Sequence, residues 1–350
     1  MTHSATRLTV DLGAIVANWR LLGGLHPSGP VGAVLKANGY GTGAGAVAPA
    51  LYGAGCRHFF VAHLAEALPL RPLVPGAMIA VLNGLWPGDA AVYATHGIAP
   101  VLGSLSEIDE WAGRAPALLH ADTGMNRLGL SPSDLDALTP ARLRGDWLYV
   151  MTHLISAEDP QDPANERQQA RFSGACGRLP PVPRSLANSS GIFLGPAFGS
   201  DLARPGAALY GVNPTPGRSN PMQQAVRLQA QVLQVRTVPA GESVGYNGQW
   251  TASRDSRIAT VSVGYADGYS RALGNRGRAT FDGSAVPLVG RVSMDLTTFD
   301  VTGLDVSAGD WLDLIGPGVP TDDVAARAGT NGYEILTQLG GRYARSVLTA

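Results

Sequence analysis

Lysine is almost missing from this chain. Of its 26 lysines and arginines, one is lysine, Lys36, and the other 25 are arginines. Arginine can carry surface positive charge anywhere, but its guanidinium stays protonated and cannot serve as a nucleophilic amine. Lys36 is therefore a candidate for chemistry that needs an amine; on composition alone, a chance surface residue fits as well. Cysteine is scarce too. Cys56 and Cys176 are the only two, and they match neither a disulfide framework nor a metal-ligand spacing. They read as small buried hydrophobes in a reducing compartment. The net charge is −1, which excludes the basic footprint of a nucleic-acid binder. No apolar run reaches the ~18 residues of a membrane span. The N-terminus lacks the basic-then-apolar pattern of a secretory signal, so a cytoplasmic location is expected. No His-x-His pair or carboxylate-bridged histidine cluster predicts a metal site.

The chain does have length, apolar content and turns. At 350 residues, 45% of them hydrophobic, it is long enough for two domains of roughly 150 residues. Asp11 precedes an amphipathic stretch, DLGAIVANWRLL, that reads as a capped helix. Eight short apolar runs then alternate with helical patterns, at 31–36, 58–62, 77–82, 100–104, 116–121, 147–153, 183–188 and 201–211. Continuous apolar strands between helices predict a parallel sheet covered on both faces. Eight βα units predict a (β/α)8 barrel over residues 1–220, although an open doubly wound sheet fits the same alternation. After the connector NPTPGRSNPMQQ the texture becomes alternating and β-branched. Residues 221–350 are expected to form a mostly antiparallel β domain, with turns at Asp282-Gly283 and 308–310 and a short helix from Thr321 to Gly329. Residues 1–10 are candidates to pair with that domain.

The polar residues of the first domain gather at the C-terminal ends of the predicted strands, the edge that carries catalysis on such barrels. Lys36 ends the first run, in AVLKANGYGTG. Partial desolvation there lowers an amine's pKa from about 10.4 and frees it to condense with a carbonyl or with pyridoxal phosphate (PLP). Arg127, in HADTGMNRLG, can hold an oxyanion with two prongs. His153 ends the sixth run, where a structural role is the plainer reading. Ser189, in ANSSG, and the amides of RPGAALYG lie after runs seven and eight, where these barrels recurrently hold phosphate.

Taken in order, AVLKANGYGTG, HADTGMNRLG, THL at 152–154, ANSSG, RPGAALYG, GESVGYNGQWTA, SVGYADGY, VGRVSMD and YEIL resemble alanine racemase, from about residue 7 to 345. The resemblance implies a PLP-dependent isomerase with a barrel and a β domain, interconverting L- and D-alanine and supplying D-alanine for cell-wall synthesis. It also implies a homodimer whose active sites mix both chains. On the matching positions, Lys36 would hold PLP covalently and Tyr40 would contact its phosphate, with Ser189, Gly206, Ala207 and Tyr333. Arg127 would bind the phenolic oxygen and the substrate carboxylate, His153 would pack at the ring, and Arg204 would face the pyridine nitrogen. Tyr246 would be the second base, and Tyr265, Met294 and Asp295 would line or support the substrate site, all from the partner chain.

There are departures from the family pattern. Thr42 replaces a common histidine, His120 replaces a lysine that can carry a carbamate orienting the arginine, and VGYN replaces VSYG around Tyr246. They bear on tuning, not on reaction type. A PLP decarboxylase of the same architecture would carry an acid where Arg204 stands. An arginine gives up no proton readily, so the ring stays a shallow electron sink, which favours immediate reprotonation at Cα. A racemase of broader or different specificity fits the same motifs, and a non-catalytic PLP-binding protein would fit the barrel alone. The 130-odd residues after the connector count against such a carrier.

Overall fold

The computed structural model describes residues 4–349. Strand β1 is Thr6–Asp11. Seven short strands follow: β2 (Ala33–Val34), β3 (His58–Val61), β4 (Met78–Val81), β5 (Ala99–Leu102), β6 (Ala117–His120), β7 (Trp147–Met151) and β8 (Arg184–Ser185). They pair in sequence order, all parallel. Helices such as Ala44–Gly53, Ala90–His96, Leu105–Trp111 and Ala164–Cys176 connect them. Apolar side chains from successive strands, among them Val34, Phe60, Ala80, Val101, Leu118 and Met151, pack together inside the curled sheet. Each is buried on both sides, which is why the strands read as unbroken apolar runs.

The eighth run does not form a strand. Residues 201–206 instead lie between the two edges of the sheet and close the ring through single bonds. Gly32 donates to Ala203 (2.9 Å), Val34 to Pro205 (3.0 Å) and Arg204 to Ala187 (2.8 Å). Val31 and Ala203 form an isolated parallel bridge. Pro205 has no N–H to continue a ladder and Gly206 follows it, so regular pairing stops there.

The β domain comprises β9 (Val226–Val238), β10 (Ser243–Val244), β11 (Trp250–Thr251), β12 (Ser256–Val261), β13 (Arg278–Phe281), β14 (Ser284–Pro287), β15 (Thr297–Asp300), β16 (Trp311–Ile315) and β17 (Ala344–Leu348). The long β9 is its centre, antiparallel to β1, β12 and β16. From Val226 to Val232 its buried residues alternate with more exposed ones, as a half-buried strand requires. Asp282 and Gly283, both at positive φ, form the two-residue turn between β13 and β14. One pairing is parallel, β17 on β1. The predicted helix is Thr321–Ala328, stopped by Gly329 in the left-handed conformation.

The chain divides into two compact units, the first holding Ile15–Leu209 and Asn213–Pro221. The second holds Met222 onward, Tyr210–Val212 and the N-terminal segment through Ala14. This differs from a single cut at 220 for two local reasons. Strand β1 belongs to the β9 sheet, and the Asp11 amide donates to Ala225 (2.9 Å). Gly211, at φ +88, lies so close to Gln224 that a Cβ there would meet its Cα at 2.9 Å.

Candidate active site

Lys36 stands where β2 ends, at the C-terminal mouth of the ring. The chain then turns sharply through four left-handed residues, two of them of types rarely seen in that conformation. Ala37, Asn38, Gly39 and Tyr40 are all left-handed, with φ of 53°, 54°, 65° and 53°. For Ala37 and Tyr40 this costs roughly 1–2 kcal/mol each. Surrounding bonds hold the turn in place. Glu66 accepts the Ala37 amide (2.6 Å) with one carboxylate oxygen and those of Ala62 and His63 with the other. Asn38 accepts the Ala44 amide through its side chain (2.9 Å), and buried Thr42, the residue replacing histidine, donates its hydroxyl to the Gly39 carbonyl. Backbone strain concentrated beside a candidate catalytic amine is the pattern expected of a functional site.

The electrostatics of the mouth are cationic. Burial, with Arg127's charge next, lowers the Lys36 pKa, and Glu66 partly opposes this. Arg204 is 4% exposed and has no acidic partner among the described residues. Burial pulls its pKa down to about 10. Two of its five donors go to the Ser185 hydroxyl and the Thr152 carbonyl, which leaves the rest for an acceptor brought from outside. His153 is pushed down to about 3, by burial first and then by Arg204, Lys36, Arg127 and His120. His120 falls to about 4, again by burial, with Arg204 next; Asp122 opposes the fall. Both imidazoles are neutral at pH 7. Arg127 is exposed, in the loop between Gly124 and Gly129, and makes no side-chain hydrogen bond among the described residues.

A hydroxyl-and-amide cradle lies beside this group. Ser189 accepts the amides of Gly206 (3.0 Å) and Ala208 (3.3 Å). The second amide is thus that of Ala208, while the Ala207 amide has no acceptor among the described residues. Gly206 faces the Tyr40 ring so closely that a Cβ would meet Cζ at 2.9 Å. After β8 there is no full helix but two short turns, Gly191–Leu194 and Pro196–Phe198. Sequence reasoning missed Gln168, buried at 2% exposure. It donates to the His153 carbonyl (2.9 Å) and the Thr123 hydroxyl (3.1 Å) and accepts from the Ile155 amide (2.9 Å). It thereby ties the loop of Arg127 to the loop of His153. A polar residue on an amphipathic helix gives no signal of such a role.

The remaining candidates belong to the second unit. Tyr246 follows β10 and is 70% exposed; Tyr333 opens the helix Gly332–Thr337 and is 38% exposed. Tyr265, Met294 and Asp295 come together on two turns bonded backbone to backbone: Tyr265 donates to Ser293 and Ala266 to Met294, both at 3.0 Å. Gly264 has no room for a side chain, since a Cβ would strike the Met294 carbonyl.

A parallel ring presenting one amine, a buried guanidinium without an acidic partner and a hydroxyl-amide cradle defines a barrel enzyme fitted to a phosphorylated carbonyl cofactor. Comparison narrows the class. The chain belongs to the alanine racemase family. The model of that family's N-terminal domain matches residues 10–214, and that of its C-terminal domain matches residues 225–347. An alanine racemase of Acidiphilium cryptum is 55% identical, over 97% of this chain and 98% of its own. The crystal structure of alanine racemase from Bartonella henselae with covalently bound pyridoxal phosphate superposes with a TM-score of 0.95. It is 42% identical, covering 99% of this chain and all of the other. The biosynthetic alanine racemase of Pseudomonas aeruginosa, 35% identical, gives 0.93 over 99% and 100%.

Proposed function

We propose that this chain is a PLP-dependent racemase of alanine. The observation that carries the reading is its only lysine, held at the ring mouth beside a hydroxyl-and-amide cradle and a buried arginine without an acid. The donor set fits the cofactor. Tyr40, Ser189 and the Ala207 amide can hold a phosphate, joined by Gly206 as the close-approach glycine and Tyr333. Arg204 offers donors to a ring nitrogen, and neutral His153 packs at the ring. When bound, PLP supplies an electron sink that acidifies the α-C–H of an amino acid.

The chain's residues do the rest. Lys36 holds the cofactor and, once released by substrate, carries the Cα proton on one face, its lowered pKa leaving the amine available as a base. Tyr246 carries the proton on the opposite face. Arg127 binds the substrate carboxylate and the phenolic oxygen, and Met294 meets the carboxylate through its amide, with Tyr265 and Asp295 beside it. Arg204 keeps the ring nitrogen unprotonated, which favours return of the proton over transamination. The 70% exposure of Tyr246 supports its donation to a second copy of the chain, in a homodimer with shared sites. Among the described residues no helix is long and apolar enough to cross a membrane, and we assign the enzyme to the cytoplasm, where it supplies D-alanine for the cell wall.

The test is direct. Purified protein with PLP should convert L-alanine to a racemic mixture, and borohydride should fix pyridoxyl on the Lys36 peptide alone. Conversion without label at Lys36, or label without conversion, would sink the reading.

A further inference from the structure

The two turns that carry Tyr265 and Met294 share a cation that racemisation as set out so far does not use. Arg342 sits in the C-terminal segment just before β17. Its Nε lies 3.2 Å from the Asp267 carboxylate and its Nη1 2.8 Å from that of Asp295. One acid comes from each turn. Asp267 is nearly buried, with 5% of its side chain exposed, while Asp295 is 53% exposed. The other oxygen of Asp267 accepts the Gly264 amide at 2.9 Å, at the start of the Tyr265 turn. Asp295 directly follows Met294.

We propose that Arg342 is a positioning residue that clamps the Gly264–Asp267 turn to the Ser293–Leu296 turn and so fixes the Met294 amide and Tyr265 for the substrate carboxylate. Three features argue for this over simple docking of the C-terminal segment. That segment is already held to Asp267 by uncharged bonds, from the Gly340 amide (3.0 Å) and the Tyr343 hydroxyl. Gly268, at φ +91, packs against the Gln338 backbone, with a notional Cβ 2.6 Å from its carbonyl carbon. The pair with Asp295 adds nothing to that docking; it reaches the other turn. Without the guanidinium, two carboxylates that now share it would repel each other across the very seam where Tyr265 and Ala266 donate to Ser293 and Met294. The seam is half-exposed, with Tyr265 at 42% and Met294 at 54%, so little packing would replace the clamp.

The proposal rests on the racemase reading for the identity of the ligand, but not for the clamp itself. The experiment uses holoenzyme with Arg342→Met and Arg342→Lys. Hydrogen exchange at the Tyr265 and Ala266 amides should quicken about tenfold in Arg342→Met, while strands β9 and β12 keep their protection. The KM for L-alanine should rise about fivefold with kcat within about twofold, the sign of lost ground-state binding rather than lost chemistry. Inhibition by propionate, a carboxylate with no amine, should weaken in step. Arg342→Lys, which retains one point charge, should recover part of both effects. Unchanged exchange at the two amides would overturn the clamp. Faster exchange with unchanged KM and propionate affinity would overturn its role in positioning. If the wild-type enzyme did not act on alanine, the exchange result would still decide the clamp, and the failure would belong to the racemase reading.

Discussion

The ring mouth and the paired turns of the β unit hold their candidate residues in opposite ways. At the mouth the supporting side chains are enclosed, although Lys36 and Arg127 themselves reach the surface. Arg204 is 4% exposed and Gln168 2%, the histidines are stripped of charge, and the side-chain amide of Gln168 is fully bonded. In the β unit the backbone is fixed and the side chains stand out, Tyr246 most of all. An enclosed group is set by its surroundings, so its ionisation and direction are built in before any ligand arrives. An exposed group is only presented, and its environment must come from whatever covers it. Substitution should therefore cost stability at the mouth and activity alone in the β unit.

Tyr246→Phe should show the largest effect and sharpen the contrast most. Loss of one base of a two-base pair costs on the order of 100-fold in rate, whereas an exposed hydroxyl should change stability by less than about 0.5 kcal/mol. In deuterated water, exchange at Cα without inversion should persist for the enantiomer served by Lys36 and vanish for the other. Equal loss of exchange from both enantiomers would place Tyr246 elsewhere. Gln168→Leu should do the reverse at the mouth. It leaves the His153 carbonyl and the Ile155 amide without partners, which should lower stability by about 2 kcal/mol in chemical denaturation, with rate falling only through displacement of Arg127. An unchanged unfolding midpoint would mean that the network is not holding the mouth.

A further effect concerns pH. His120 and His153 have folded pKa values near 4 and near 3, below the unfolded value of about 6.5. The unfolded state then binds more protons below pH 6.5, so stability is present above that pH and is lost as pH falls towards 4. For cofactor-free protein each histidine should contribute a slope of up to roughly 1.4 kcal/mol per pH unit between pH 6.5 and 4. Replacing both by glutamine should flatten the curve there. A curve of the same steepness in the double variant would mean that the imidazoles are solvated.

Much of this contrast was legible in the sequence, and the illegible parts have physical causes. Seven of the eight apolar runs are strands because buried parallel strands need no alternation; the eighth fails at Pro205, whose missing donor was visible in RPG. Lys36, Arg127 and Ser189 were readable because a glycine or a strand end marks each. The left-handed turn after Lys36 was not, since Ala37 and Tyr40 carry no local preference for it and Ala37 is held by Glu66 from the helix Leu64–Leu70. Gln168 and Arg342 act through partners roughly 45 and 75 residues away, at separations where pattern says nothing. Which amides Ser189 takes, those of Gly206 and Ala208, and which it leaves available, that of Ala207, depends on a single residue of rotation in a short turn.

The central claim, that the half-site with Lys36 meets a presented half-site with Tyr246 from a second copy, has one most direct test. Inactive Lys36→Ala chains are mixed with inactive Tyr246→Phe chains under conditions that exchange subunits. A mixed dimer gathers both lesions into one site and leaves the other intact, so random pairing should restore up to about a quarter of wild-type activity. Confirmed exchange with no activity regained would contradict the shared site.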